Sequence, residues 1–284
     1  RTGFSLSRSA AMSFLSDDAI ERLRDVAEQP DLTGTRYELL RELGRGGMGI
    51  VYEVRDRQLE RSVAMKVVDE EWSAEARVIA ALEHPGIVPV HDAGELPDGR
   101  FYYTMKLVRG ARLDAWLREG HPLTERLRLF ARICEPLAFA HAQGVVHRDL
   151  KPENVMVGEF GAVLVMDWGV SNIAGTPGYM APERHRDARS DVYALGALLR
   201  VVLQYESTRP LRAIAARATH EDPSRRYANA GEVAEDVLRY LDGAPVSAYR
   251  ENPFEIAGRW LGRHRALLAM LLAYLIMRAL ILLL

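Results

Sequence analysis

Between Tyr37 and about Leu107 the apolar positions fall in short runs rich in Val, Ile, Tyr and Phe: Tyr37 to Leu43, Ile50 to Arg55, Ser62 to Val68, Ile87 to Asp92 and Phe101 to Leu107. Runs of this kind predict a mostly antiparallel sheet of about five strands, with one helical insertion around Ala74 to Leu82. After Gly110 the spacing turns helical, in Leu113 to Arg118, Leu123 to Gln143, Ser190 to Leu203, Leu211 to Thr219 and Ala230 to Leu241. A strand-rich unit therefore precedes a helix-rich one, and no internal repeat is visible. Ahead of both, Ser16-Asp17-Asp18 followed by Ala19, Ile20, Leu23, Val26 and Ala27 predicts an N-capped amphipathic helix that ends before Pro30.

The last run differs from the rest. Residues 266–284 hold nine Leu, two Ile, two Met, four Ala and one Tyr, with Arg278 the only charge. As a helix they extend roughly 28 Å, about the thickness of a hydrocarbon core. The aliphatic side chains contribute roughly 3 to 7 kcal/mol towards insertion, against about 3 for a central arginine. An interfacial helix would carry a polar face, and this run has none. The expectation is a transmembrane helix over 266–284, and the lipid bilayer is its partner. Arg259, Arg263 and Arg265 precede it without intervening acids, which places the bulk of the chain on the cytoplasmic side as a single-pass cell (inner) membrane protein. Arg278 is a candidate contact for another membrane helix.

Composition adds few constraints. The 284 residues, 48% of them hydrophobic, suffice for a substantial core. A balance of 37 basic and 39 acidic residues gives no excess that points to nucleic acid. The single cysteine, Cys134, lies in an apolar stretch and reads as a core residue. The chain begins at Arg1, and residues 1–15 lack the apolar core of a signal peptide, so the sequence is read as a piece of something longer.

Chemistry is concentrated in a few segments. Gly44, Gly46 and Gly49 in Gly44-Arg45-Gly46-Gly47-Met48-Gly49 let a backbone approach phosphates, since no Cβ intervenes. Ile50-Val51-Tyr52-Glu53-Val54 alternates like a strand, so the glycines sit in a hairpin and not at the helix start that a dinucleotide fold requires. Lys66, in Val63-Ala64-Met65-Lys66, is on the next strand, and Glu75 on the short helix is a carboxylate able to hold it. The segment His147-Arg148-Asp149-Leu150-Lys151-Pro152-Glu153-Asn154 lies between apolar pairs, and Asp167-Trp168-Gly169 follows another apolar run. Gly175-Thr176-Pro177-Gly178-Tyr179-Met180-Ala181-Pro182-Glu183 and Asp191-Val192-Tyr193-Ala194-Leu195-Gly196 complete the set.

These strings, in this order, resemble the eukaryotic-type serine/threonine protein kinase family, and their wording is most similar to its bacterial, membrane-anchored branch. The resemblance implies an α+β fold of two lobes: a small antiparallel-sheet N-lobe with one helix over 37–108 and a larger helical C-lobe over 109–243. Residues 1–36 are then an N-terminal extension and 244–265 a juxtamembrane segment ahead of the membrane helix. It implies ATP and Mg2+ as cofactors and protein substrates phosphorylated on Ser or Thr. Asp149 would orient the attacking hydroxyl, Lys151 would neutralise the transferred group, and Asn154 and Asp167 would hold metal. Lys66 and Glu75 would pair, and Thr176 would join the substrate platform. Leu43, Val51 and Ala64 would cover the adenine faces, Met105 would line the back of its pocket, and the backbone of Lys106 and Val108 would bond it. Glu183 would pair with Arg225, and Asp191 would brace the catalytic-loop backbone.

Trp168 departs mildly from the usual Phe, because a large apolar side chain still packs there. Four connections are short for the family: Lys66 to Glu75, Gly169 to Ala181, Glu183 to Asp187, and Leu203 to Leu211. The expectation is that these loops are longer in the intact protein, whose mass would then exceed 31.9 kDa. Truly short loops would favour the alternative of a catalytically weak pseudokinase scaffold. Ser171 is a candidate regulatory phosphosite.

Overall fold

In the computed structural model, the described residues are 29–46, 49–68, 73–168, 176–183, 187–204, 206 and 208–283. The predicted helix at 16–27 and Ser171 lie outside them. So do residues within each of the four short connections.

Five strands form one antiparallel sheet: β1 (Tyr37–Gly46), β2 (Gly49–Asp56), β3 (Arg61–Val68), β4 (Val90–Glu95) and β5 (Phe101–Lys106), in the order β1-β2-β3-β5-β4. Alternation along β3 sorts its side chains onto two faces. Val63, Met65 and Val67 join Tyr37, Tyr52 and Tyr102 in one apolar cluster. Ala64 joins Tyr103 and Met105 in another, together with Ala76 of helix α1 (Ser73–Ala80). Lys66 shares the Ala64 face by the same period, so the strand delivers its ammonium to the side where the second lobe lies.

One predicted strand shifts. Ile87 to Asp92 begins instead at Val90, because Pro89 has no N–H to continue a ladder. Ile87 makes a parallel bridge to Val165, with the Val165 amide donating to the Gly86 carbonyl at 2.8 Å, and this stitches the sheet to the helical lobe.

The helical lobe contains α2 (Leu113–Arg118), α3 (Leu123–Ala142), α4 (Ala188–Leu203), α5 (Arg209–Ala218) and α6 (Ala230–Leu241). Their starts follow from local chemistry: Asp187 caps α4 by accepting from the Arg189 amide, and Asn229 caps α6 by accepting from the Glu232 amide. Leu127, Phe130, Ile133, Cys134 and Leu137 of α3 meet Leu195, Leu198 and Leu199 of α4 in the main core. Cys134 is fully buried, as its apolar context predicts, and burial pushes its thiol up. A small antiparallel sheet of β6 (Gly110–Arg112), β7 (Val155–Gly158) and β8 (Val163–Val165) was not among the predicted elements. Its strands of three and four residues are too short to carry a period.

Two further helices follow, α7 (Pro253–Arg263) and α8 (Arg265–Leu283). The second occupies the terminal apolar run, and the side chains described on it are those of 268–271 and 273–278. Among the described residues no helix is long and apolar enough to cross a membrane, so the transmembrane part of the expected fold is not shown.

Candidate active site

The floor of the interlobe cleft is set by a buried carboxylate. Asp191, on the first turn of α4, accepts from the backbone amides of His147 at 2.7 Å and Arg148 at 2.9 Å, and from His141 Nε2 at 2.8 Å. Burial works to raise this carboxyl, yet the bonds from His141 and the His147 amide outweigh it and hold the group below the usual aspartate range. Three donors on one fixed anion leave the loop after His147 little freedom. Arg148 accordingly adopts φ 70°, a conformation that a non-glycine residue holds only when its surroundings impose it. His147 is itself buried, with Nε2 2.9 Å from the Met166 carbonyl, and Trp168 packs 5.0 Å from its ring.

That loop presents Asp149. Its Oδ2 lies 2.7 Å from Lys151 Nζ, while its Oδ1 accepts the Thr176 hydroxyl at 2.8 Å and the Thr176 amide at 3.0 Å. Lys151 also donates to the Thr176 hydroxyl at 2.9 Å. Burial pushes Asp149 upward, but the hydrogen bonds from Lys151 and Thr176 prevail, so its pKa lies below that of an ordinary aspartate. A carboxylate held ionised beside a cation can receive a hydrogen bond from an incoming hydroxyl. Asn154 donates through Nδ2 to the Asp149 carbonyl at 2.8 Å, which leaves its amide oxygen as the atom available to a cation.

Across the cleft, Lys66 Nζ meets Asp167 Oδ1 at 3.2 Å. The lysine is buried and the aspartate partly exposed. Asp167 has φ 52°, at the exit of β8. The side chain of Glu75 lies outside the described residues, and so does its expected pairing with Lys66.

Leu43, Gly44, Gly46, Gly49, Val51, Ala64, Met105, Lys106 and Val108 all border one cavity of about 1080 Å³, which also reaches Lys66, Asp149, Lys151, Asn154, Asp167 and Thr176. The three glycines differ in what they do. A Cβ on Gly44 or Gly46 would meet no described atom within 4 Å, whereas one on Gly49 would stand 2.2 Å from the Val67 carbonyl oxygen, and Gly49 has φ 124°. Gly49 is therefore required by the sheet itself. Gly44 and Gly46 leave room at the cavity edge that a phosphate chain can use.

Residues 37–226, more than half of the chain, match the family described as Protein kinase domain. The chain belongs to the protein kinase family. The kinase is 36% identical over 264 residues to the serine/threonine-protein kinase PknB of Mycolicibacterium smegmatis, covering 79% of this chain and 41% of that protein. It is 30% identical over 294 residues to the serine/threonine-protein kinase PknD of Chlamydia felis, covering 74% and 31%. Among solved structures it is similar to the Mycobacterium tuberculosis PknI kinase domain, with TM-score 0.62 and 26% identity over 76% of this chain and 99% of that one. The chain thus spans under half the length of these curated relatives.

A protein kinase domain uses ATP and Mg2+, and the residues of this kinase fit both. Magnesium keeps most of its ligands as water and phosphate, needing one or two protein oxygens. Asn154 and Asp167, which both border the cavity, offer those.

Glu183 is paired differently from the expectation. Its carboxylate takes two hydrogen bonds from Arg226, at 2.7 and 2.8 Å, while Arg225 is exposed and, among the described residues, pairs with Asp222 at 3.9 Å. The cause is local. Asp222 caps a single helical turn, Pro223–Arg225, which turns Arg225 outward, and Arg226 leaves that turn in extended geometry with its side chain inward. Met156 and Met166 also border the cavity, and His141, buried beneath the loop, bonds Asp191; the sequence reading gave none of the three a role. Met156 lies between Val155 and Val157, which are buried on one face of β7, so it turns to the other face and borders the cavity. His141 meets Asp191 across 50 residues of sequence, and no local pattern encodes that.

Proposed function

We propose that this chain is an ATP-dependent serine/threonine protein kinase that phosphorylates proteins in membrane-anchored signalling. The observation that carries the reading is Asp149 gripped by Lys151 and Thr176 on a loop pinned by Asp191, with the Lys66–Asp167 pair across the cavity.

Bound ATP with magnesium supplies the γ-phosphoryl group and the cation that offsets its charge. Lys66 and the Gly44–Gly46 backbone would hold the phosphate chain, and Asn154 and Asp167 would offer oxygens to the metal. Asp149 would orient the Ser or Thr hydroxyl and take its proton as that oxygen bonds to the γ-phosphorus and the bond from the phosphorus to the β,γ-bridging oxygen breaks, with ADP as the leaving group. Lys151 places positive charge beside the group in transfer, as expected of a Ser/Thr enzyme. Positioning and fixed charge account for most of the catalysis in this chemistry.

The anchor is the second part of the proposal. Met270, Leu271, Tyr274, Leu275, Ile276 and Met277 of α8 are exposed, and the run 266–284 is apolar on every side. This supports a single span of the inner membrane with the kinase cytoplasmic and Arg278 facing a partner helix.

The test is transfer of labelled γ-phosphate from ATP to a generic basic protein and to the chain itself. Asp149→Asn is expected to lower incorporation on Ser and Thr by about 10²- to 10⁴-fold. Unchanged incorporation overturns the assignment of Asp149. ATP binding with no transfer by the wild type would favour a pseudokinase scaffold.

A further inference from the structure

The chain does not leave the helical lobe on a loose tether. Asp236 of α6 is buried and accepts from the Ser247 amide at 2.7 Å, the Ser247 hydroxyl at 2.8 Å and the Ala248 amide at 3.1 Å. Tyr227 donates to the same carboxylate at 2.7 Å, and Arg217 donates to Ser247 at 2.8 Å. Val246 is buried, and Ala248 and Tyr249 pack against the lobe core. The polar contacts continue into α7. The Tyr249 hydroxyl donates to Glu255 at 2.9 Å, Arg209 at the start of α5 reaches Glu255 at 3.4 Å, and Arg259 meets Glu251 at 2.8 Å. A capping box between Asn252 and Glu255, with Pro253 in the first turn, fixes where α7 begins.

The other side of α7 is apolar and uncovered. At 100° per residue, Ile256, Trp260, Ala257, Leu261 and Phe254 fall on an arc opposite Glu255 and Arg259. Phe254 is 88% exposed, Trp260 55%, Leu261 50% and Ile256 48%. Only His264 separates this helix from α8. Between 250 and 265 the chain carries Arg250, Arg259, Arg263 and Arg265 against Glu251 and Glu255, a net positive charge.

We propose that α7 lies in the membrane–water interface with Phe254, Trp260 and Leu261 in the lipid. The C-lobe then rests on the bilayer by a bonded strap, in one orientation. This rests on the membrane-anchor reading above. A wide apolar arc with charge opposite, an amphipathic tryptophan and net positive charge beside anionic headgroups are the features of a helix that lies on a bilayer. Direct continuity with α8 favours lipid over a second copy of the chain or a separate protein.

The test places a nitroxide on the full chain in vesicles of phosphatidylcholine and phosphatidylglycerol, as Phe254→Cys or Leu275→Cys, with Leu59→Cys in the sheet lobe as the aqueous reference. Cys134 is buried and stays unlabelled. Power saturation then compares collisions with oxygen, which partitions into lipid, and with a water-soluble nickel chelate. The expected result is an oxygen-to-nickel ratio at 254 several-fold above that at 59, and higher still at 275. A lipid-like value at 275 with a water-like value at 254 overturns the interfacial strap and leaves the anchor standing. Water-like values at both overturn the anchor and the strap together. A label at 254 shielded from both collision partners shows a protein neighbour, and also overturns the strap.

Discussion

Arg226 grips both oxygens of Glu183, at 2.7 and 2.8 Å, and its guanidinium also donates to the carbonyls of Arg189, His220 and Glu221. One side chain thereby ties the end of the substrate platform to the start of α4 and to the turn after α5. Arg226 is fully buried, so removing it strands a carboxylate and several carbonyls. Arg226→Ala is expected to cost about 3 to 5 kcal/mol in denaturant unfolding. Arg225→Ala, on an exposed neighbour, should stay within about 0.5 kcal/mol. Equal losses in the two variants would refute this pairing.

Thr176 contributes through its hydroxyl, which donates to Asp149 and accepts from Lys151. Thr176→Val keeps the amide bond to Asp149 and deletes only that link. A bond of about 1 to 1.5 kcal/mol corresponds to roughly a tenfold fall in kcat, with little change in KM for ATP. Thr176→Ser should restore most of it. Steady-state kinetics with varied ATP separates the two effects, and a rise in KM alone would remove Thr176 from the catalytic grip.

The glycines at the cavity edge should separate by phenotype. Gly49→Ala forces a Cβ to within 2.2 Å of a backbone oxygen at φ 124°, and a loss of about 1 to 3 kcal/mol is expected in thermal unfolding. Gly46→Ala meets nothing in the described protein and should melt normally while binding ATP several-fold more weakly. Calorimetry with ATP decides it, and identical affinity in Gly46→Ala would take that residue out of the phosphate cradle.

Acid should unfold this kinase through its buried carboxylates. Asp191, Glu183, Asp149 and Asp236 are each pushed up by burial, yet hydrogen-bond donors hold all four below their ordinary values. Because the folded state binds these protons more weakly than the unfolded chain, the stabilisation is fully present above the unfolded values of 3.8 and 4.5. It is lost as pH falls through the lower folded values. Stability measured by urea titration is expected to be level near neutrality and to decline below about pH 4.5. In Asp191→Asn the decline should be shallower and the neutral-pH stability lower. An unaltered slope would show that Asp191 does not contribute to the acid transition.

The order of the lobes and the identity of most chemical groups are legible along the chain, because both are written locally. Val63-Ala64-Met65-Lys66 reads as a strand that carries a lysine beside the glycine hairpin, and Lys66 does border the cavity. The helical spacing of Leu123 to Gln143 announced the core helix that buries Cys134. Which groups meet depends on packing. Arg225 and Arg226 are adjacent and alike in composition, and only the turn capped by Asp222 sends one outward and the other to Glu183. His141 and Asp191 belong to different helices, and packing of α3 on α4 brings them to 2.8 Å. Likewise 244–265 reads only as a juxtamembrane segment, and that it holds α7, with its polar side bonded to the lobe, depends on Tyr249 and Arg209. Local periods specify faces, whereas pairings across tens of residues arise only when those faces close on one another.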